Sequence, residues 1–287
     1  MYLIKTIENQ DVIFFKKVIV KGKKEREIYI IDDKSKILFK KINSELCKVY
    51  YNTVFMKENK DIRDIAHGFF KGRNPLTNAK AHKNYDVTIS LDIKNHFSSI
   101  NQKMVDEYLT AEQRYLCFIN EILPQGLLTS PVISNLAMIK LDRKINYLLK
   151  KIAFGSNCQI DASSLFYASS VVKNSKIINY KYTRYVDDIT ISLNLNPELD
   201  KKSKKKLIND IINSVTSECN IIGFKINSKK TSVQLESNGF RIITGVAVSK
   251  SVIKASRKTK RKLRSAIYNA RYNNAIGLFN WIDYIGR

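Results

Sequence analysis

Apolar and polar residues follow two periods along the chain, near 2 and near 3.6, and the switches between them outline the elements. Val12 to Val20 and Glu27 to Ile31 are strand-like runs, and Ser35 to Tyr51 is expected as a helix. The segment GFFKGRNP (Gly68 to Pro75) carries two glycines and a proline and is expected as a loop. VTISL (Val87 to Leu91) is short and β-branched, which predicts a strand. Gln102 to Ile122 is expected to be helical. A better marked helix follows. Thr129 or Ser130 can cap it, Pro131 suits its first turn, and Val132, Leu136, Ile139, Ile145, Leu148 and Leu149 keep helical spacing. Phe154 to Lys181, rich in Ser and Asn with few charges, reads as an insertion. Tyr182 to Leu193 alternates like a strand pair around a polar centre. Leu207, Ile208, Ile211, Ile212 and Val215 form a helical stripe, and Ile221 to Ile226 is expected to return as strand. Irregular alternation of this kind predicts an α+β fold, a sheet with helices packed on one face.

Charge changes the picture most. Fifty Lys and Arg stand against 26 Asp and Glu, a formal net charge of +24 on 287 residues. A compact body with that charge repels itself, and a polyanion relieves the repulsion. Nucleic acid is the leading partner and an anionic membrane surface the second. With 44% hydrophobic and 26% charged residues the composition excludes a disordered chain. No apolar run approaches the roughly 18 residues that span a bilayer. Glu8, Asp11, Lys16 and Lys17 break up the first stretch, so no signal peptide is expected and the location expected is the cytoplasm. Cys47, Cys117, Cys158 and Cys219 form no CxxC pair, and His67, His82 and His96 lack metal-ligand spacing.

The candidate chemistry centres on TRYVDDITIS, Thr183 to Ser192. Adjacent carboxylates on a strand point to opposite faces, but at a hairpin tip Asp187 and Asp188 can approach one point. A second segment, ISLDIKNHF (Ile89 to Phe97), ends an apolar strand on Asp92. Taken separately, each carboxylate also suits an ordinary turn or helix cap. Three carboxylates held close together are unfavourable unless divalent cations neutralise them, and magnesium is the natural occupant. Two such ions about 3.5–4 Å apart would serve phosphoryl transfer.

Four motifs in this order resemble the reverse transcriptase family. ISLDIKNHF is similar to its first catalytic-aspartate motif, and LPQGLLTSPVISN (Leu123 to Asn135) to its PQG-x-x-[ST]SP motif. YVDD (Tyr185 to Asp188) is similar to YxDD, and GFKINSKKT (Gly223 to Thr231) to the glycine-then-lysine motif that follows. The resemblance covers most of the chain. It implies a right-hand polymerase: fingers over residues 1–85, a palm with an antiparallel sheet over 86–248, and a short helical thumb over 249–287. Within the palm, 101–130 would connect to the fingers and 154–181 would be inserted. Asp92, Asp187 and Asp188 then become catalytic metal ligands for two Mg2+ ions, with the Ile93 carbonyl as an extra ligand. Phe97 matches the aromatic that closes against the sugar 2′ position and selects dNTPs. Gln125 and Gly126 match positions lining nucleotide and template, and Arg26 the fingers arginine over the triphosphate. Lys230 is the candidate proton donor to pyrophosphate, with Lys229 its rival.

Two further motifs resemble the retron type. NAKAH (Asn78 to His82) matches NA-x-x-H, and ITG (Ile243 to Gly245) is close to VTG. YVDD departs from the YADD common in that group. The resemblance implies a cognate structured noncoding RNA, primed from an internal 2′-OH and copied into branched RNA-linked DNA. It also implies antiphage defence with a separate effector protein. Asn78 and His82 would bind that RNA. So would Lys254, Arg257, Lys260, Arg261 and Arg264, from a basic helical stretch over Lys254 to Arg271. Between Ser249 and Ile282 there are nine Lys or Arg and no acidic residue. Two alternatives stay open: another bacterial reverse transcriptase of abortive-infection or diversity-generating type, or a non-catalytic RNA-binding scaffold.

Overall fold

The structure, a computed structural model, describes residues 2–6, 12–21, 25–155 and 176–287. The expected insertion over 154–181 therefore lies mostly outside the described residues. In chain order the first elements are strands β1 (Tyr2–Thr6), β2 (Val12–Val20) and β3 (Arg26–Ile31), then helices α1 (Asp33–Phe55) and α2 (Pro75–Lys80). Next come β4 (Val87–Asp92), α3 (Ala111–Cys117), α4 (Ser130–Phe154), β5 (Ile177–Tyr185) and β6 (Asp188–Leu195). The last are α5 (Lys201–Ile222), β7 (Ser232–Leu235), β8 (Arg241–Ile243), β9 (Val246–Val248), β10 (Ile253–Ala255), α6 (Arg257–Tyr268) and α7 (Tyr272–Gly286).

These fall into two compact units, Met1–Arg63 with Lys94–Arg143, and Asp64–Ile93 with Lys144–Arg287. The cuts differ from the boundaries expected at 85 and 248, because contacts rather than chain order define a unit. In the first unit β1, β2 and β3 form an antiparallel sheet in that order. Asp32 caps α1 by accepting from the Lys34 and Ser35 amides. The helix buries Phe39, Ile42, Leu46, Tyr50 and Val54, a stripe at three- and four-residue steps. It runs beyond the expected Ser35–Tyr51 at both ends. Between Gln102 and Ile122 only Ala111–Cys117 is α-helix. A capping box of Thr110 and Gln113 starts it, and the left-handed Asn120 and Glu121 (φ 48° and 61°) turn the chain away soon after it ends.

The second unit holds a four-stranded antiparallel sheet in the order β5-β6-β4-β7. Strand alternation gives it two unlike faces. Val87, Ile89, Leu91, Ile189, Ile191 and Leu193 make one fully buried apolar face. Thr88, Ser90 and Asp92 on β4 pair with Ser192, Thr190 and Asp188 on β6 along the other, which is polar throughout. Of the strand expected over Ile221–Ile226, Ile221 and Ile222 are instead the end of α5. Its apolar stripe continues to buried Cys219, and Gly223 (φ 106°) then closes the helix in the left-handed conformation. Ile226 returns only as a single antiparallel bridge to Ile93.

A second sheet, β10-β9-β8, joins α2 and α7 around Leu76, Ala79, Ile243, Val246, Val248, Ala255 and Ile285. Asn74 caps α2 and Pro75 occupies its first turn, so the expected loop ends one residue earlier than predicted. Lys254 lies in β10 rather than in a helix, and the basic helix starts at Arg257, capped by Ser256.

Candidate active site

β5 and β6 are joined by only Val186 and Asp187, which places YVDD at a hairpin tip. A two-residue hairpin loop needs positive φ, and Val186 supplies it at 60°. A β-branched residue is strained there, so its surroundings must hold it. Fully buried Arg184 donates from Nη1 to the Val186 carbonyl at 3.2 Å. Residues 65–68 run beside β5: the Arg184 amide donates to the Ile65 carbonyl and the His67 amide to the Arg184 carbonyl, each at 2.8 Å. Gly68 presses on the turn itself. A Cβ there would stand 2.6 Å from Val186 Cγ2 and 2.7 Å from Val186 N. The sequence shows Gly68 only as a chain breaker, and its role depends on a partner more than 100 positions away.

Asp92 ends β4 directly opposite Asp188. The Ile93 amide donates to the Asp187 carbonyl at 2.9 Å, tying the hairpin tip to the end of β4. Asp92 is buried, accepting from Asn227 Nδ2 at 3.2 Å and from Lys230 Nζ at 2.6 Å. The Asn227 amide also donates to the Asp92 carbonyl. Of the two candidate lysines, Lys230 makes this contact, and the hydrogen bond to Asp92 raises its pKa. Asn227, inside GFKINSKKT, was not singled out from sequence. Desolvation, then the like charges of Asp187 and Asp92, pushes the Asp188 carboxyl up to about 6, against the pull of Lys230.

Among the described residues no three carboxylate, imidazole or thiolate groups form a ready-made metal cage. The donor set nevertheless fits a divalent cation. It is all oxygen, its charges repel one another, and an ammonium already neutralises Asp92. A groove of about 580 Å³ opens beside Asp188, lined among others by Ser90, Tyr185, Thr190, Thr244 and Gly245.

The first unit carries the other matched residues. Gln125 bridges in parallel to Ile28, and its carbonyl accepts from the Tyr29 amide at 2.8 Å. Gly126 (φ 103°) follows where a Cβ would lie 2.6 Å from the Tyr29 carbonyl oxygen, so only glycine fits. Both therefore pack against β3, whose first residue is exposed Arg26. Phe97 is half-buried on a 3₁₀ turn (Phe97–Ser99), edge-on to His96 at 5.5 Å, and His96 Nε2 is 2.7 Å from Ser134 Oγ.

Asn78 and His82 were expected to touch RNA; both have no exposed surface and bond to β5 and β6. Buried polar atoms with protein partners have nothing left to offer a phosphate, so their role in this structure is internal. Arg257, Lys260, Arg261 and Arg264 are exposed on α6, whose only buried residue is Ala266. Lys254 is exposed too, its Nζ 3.6 Å from the Phe240 ring centroid.

A family model for reverse transcriptase (RNA-dependent DNA polymerase) matches residues 18–254. The chain belongs to the reverse transcriptase family. Within it the resemblance is to the retron type. The chain is 26% identical over 245 residues to the Retron Mx162 reverse transcriptase of Myxococcus xanthus, covering 74% of this chain and 45% of that protein. It is 26% identical over 261 residues to the Retron Se72 reverse transcriptase of Salmonella heidelberg (86% and 58%). Identity to the Retron Ec73 reverse transcriptase of Escherichia coli is 30% over 239 residues (74% and 64%). The chain thus spans about half to two thirds of the length of these curated relatives. Among the described residues no helix is long and apolar enough to cross a membrane.

Proposed function

We propose that the protein is an RNA-directed DNA polymerase of retron type, copying part of a structured noncoding RNA into single-stranded DNA joined to that RNA. The observation that carries this reading is the carboxylate centre: Asp92 opposite Asp188, Asp187 tied to Ile93, and the Lys230 ammonium on Asp92. In a right-hand polymerase the β5-β6-β4-β7 sheet is the palm floor, β1–β3 belong to the fingers, and α6 with α7 is the thumb. Asp92, Asp187, Asp188 and the Ile93 carbonyl would hold Mg2+. When bound, such cations neutralise the triphosphate and make the primer hydroxyl a better nucleophile.

The chain's own residues do the rest. The primer hydroxyl gives up its proton to solvent, and its oxygen forms a bond to the α-phosphorus as the bond to pyrophosphate breaks. Lys230, freed from Asp92, gives its proton to the departing oxygen. Phe97 excludes a ribose 2′-OH, and Arg26, Gln125 and Gly126 hold the triphosphate and template side. Arg257, Lys260, Arg261 and Arg264 grip phosphates of the RNA. The product would serve antiphage defence together with a separate effector protein.

The test is primer extension on an annealed RNA template with dNTPs and Mg2+. Asp187→Asn with Asp188→Asn should abolish synthesis while RNA binding persists; undiminished synthesis would refute the site. Nucleic acid copurifying from cells that carry the native locus should contain a small DNA linked to RNA by a bond that a debranching enzyme cuts. Efficient copying of any primed RNA without a branched product would place the protein among other bacterial reverse transcriptases.

A further inference from the structure

Asn78, His82, Thr88, Thr183, Ser192 and Arg241 each have no solvent exposure, and none is used in the proposed chemistry. Burying such groups is unfavourable unless every one is bonded, and here their bonds form one chain. Arg241 Nη1 donates to Thr88 Oγ1 at 2.8 Å, and Thr88 Oγ1 lies 2.7 Å from Ser192 Oγ. Ser192 Oγ is 2.9 Å from His82 Nδ1, and His82 Nε2 is 2.6 Å from Thr183 Oγ1. Thr183 Oγ1 donates to Asn78 Oδ1 at 2.6 Å.

Hydrogen counting fixes the direction, since each hydroxyl has one hydrogen to give. Thr183 gives its hydrogen to Asn78, so His82 must carry one on Nε2. That leaves Nδ1 to accept from Ser192, Ser192 to accept from Thr88, and Thr88 to accept from the guanidinium. All the hydrogens point from Arg241 toward Asn78. A doubly protonated His82 would turn the Ser192 hydrogen toward Thr88 and take away the acceptor of the Thr88 hydroxyl hydrogen. Desolvation, with the charges of Lys181 and Arg241, holds the His82 pKa well below its usual value. The ends are anchored as well. Arg241 Nη2 donates to the His82 carbonyl at 3.1 Å and its Nε to Glu236 at 3.3 Å. Asn78 Nδ2 reaches Thr244 Oγ1 at 3.5 Å, and Thr244 Oγ1 donates to the Pro75 carbonyl at 3.1 Å. NAKAH and ITG are therefore two parts of one assembly.

The chain spans β4, β5 and β6 on the face that bears the carboxylates. Thr88 pairs with Ser192 four residues before Asp92 pairs with Asp188, about 13 Å along the strands. A one-residue slip of β6 would turn Asp188 to the opposite face. We propose that Asn78, His82 and Arg241 are positioning residues of the carboxylate site, locking β4, β5 and β6 in the register that sets Asp92 against Asp188. This rests on the polymerase reading only for its kinetic consequence.

The test uses the full chain with Thr183→Val, Ser192→Ala and His82→Leu, and Thr183→Ser as the conservative variant. Mn2+ affinity is read by electron paramagnetic resonance, and kcat and KM for template–primer are measured on a preannealed RNA template at saturating dNTP. Thr183→Val and His82→Leu should weaken Mn2+ binding and lower kcat by about 10- to 100-fold, the cost of displacing supporting groups by around 1 Å. KM for template–primer should stay near wild type, and Thr183→Ser should keep both properties. If His82→Leu does not fold, the two hydroxyl deletions decide. Wild-type Mn2+ affinity and kcat in Thr183→Val and Ser192→Ala, whatever their melting temperatures, would overturn the proposal. A wild-type chain that binds Mn2+ but copies nothing would sink the polymerase reading instead, leaving Mn2+ affinity to judge this one.

Discussion

Replacing Gly68 with alanine adds one methyl group and should cripple the proposed polymerase activity. At an unconstrained site a Gly→Ala change with compatible backbone stabilises by about 0.4–1 kcal/mol, through the unfolded chain. At Gly68 the new Cβ would stand 2.6 Å from Val186 Cγ2 and 2.7 Å from Val186 N. The Cγ2 atom can rotate away, but the backbone nitrogen cannot. Ordinary contact begins near 3.4 Å, so the YVDD turn must retreat by about 0.7 Å. Overpacking of this kind costs about 1–3 kcal/mol, which outweighs the entropic gain. A catalytic group displaced by about 1 Å costs on the order of 100-fold in rate. Single-turnover extension of an annealed RNA template at saturating dNTP should therefore fall by roughly 10- to 100-fold, with a lowered Tm. Adding Val186→Ala removes Cγ2 but leaves the nitrogen, so the double variant should recover only part of the rate. Gly68→Ala with a rate within about threefold of wild type and an unchanged or higher Tm would refute the close approach.

Three further outcomes are expected. Phe97→Val should raise ribonucleotide incorporation relative to deoxynucleotide, measured by competition on one template; loss of stability with an unchanged ratio would make the ring a packing residue only. Reversing Lys260, Arg261 and Arg264 to Glu should weaken RNA binding and flatten the log–log salt slope by up to about 2–3, with synthesis on saturating template largely kept. Buried His67, held down to about 4 by desolvation and by Arg73 and Lys181, and buried His82 are neutral in the fold. Their contribution is full above pH 6.5 and is lost as pH falls, because only the unfolded chain takes up the protons. Stability should drop by up to about 1.4 kcal/mol per pH unit for each ring below 6.5, and His67→Gln should flatten that slope in denaturant titrations.

What could be read from sequence was local. Asp187 and Asp188 interrupt an alternating strand, and Asp92 stops one; alternation places such residues at strand ends without knowledge of their partners. The stripe of α5 was legible for the same reason, but its last turn was not, since Ile221 to Ile226 suits either period until Gly223 is seen to close the helix. The RNA role expected for Asn78 and His82 came from the retron resemblance, and a motif match does not show that both side chains are buried. Their partners, Thr183 and Ser192, are more than 100 residues further along. Buried Arg184 and Arg241 escaped notice likewise, because among 50 basic residues nothing local marks the few that turn inward.

The order of strands has a consequence for synthesis of the chain. β4 has both of its partners, β6 and β7, downstream, and Asp92 meets Asp188 only after 96 further residues have been made. At about 5–20 residues per second a ribosome needs roughly 5–20 s for that stretch. Throughout it Val87, Ile89 and Leu91 sit on a strand with two open edges, a surface prone to wrong pairing. Pausing translation within this interval should divert nascent chains to chaperones or aggregates, while a pause after Leu235, once every strand of that sheet has been made, should do little harm.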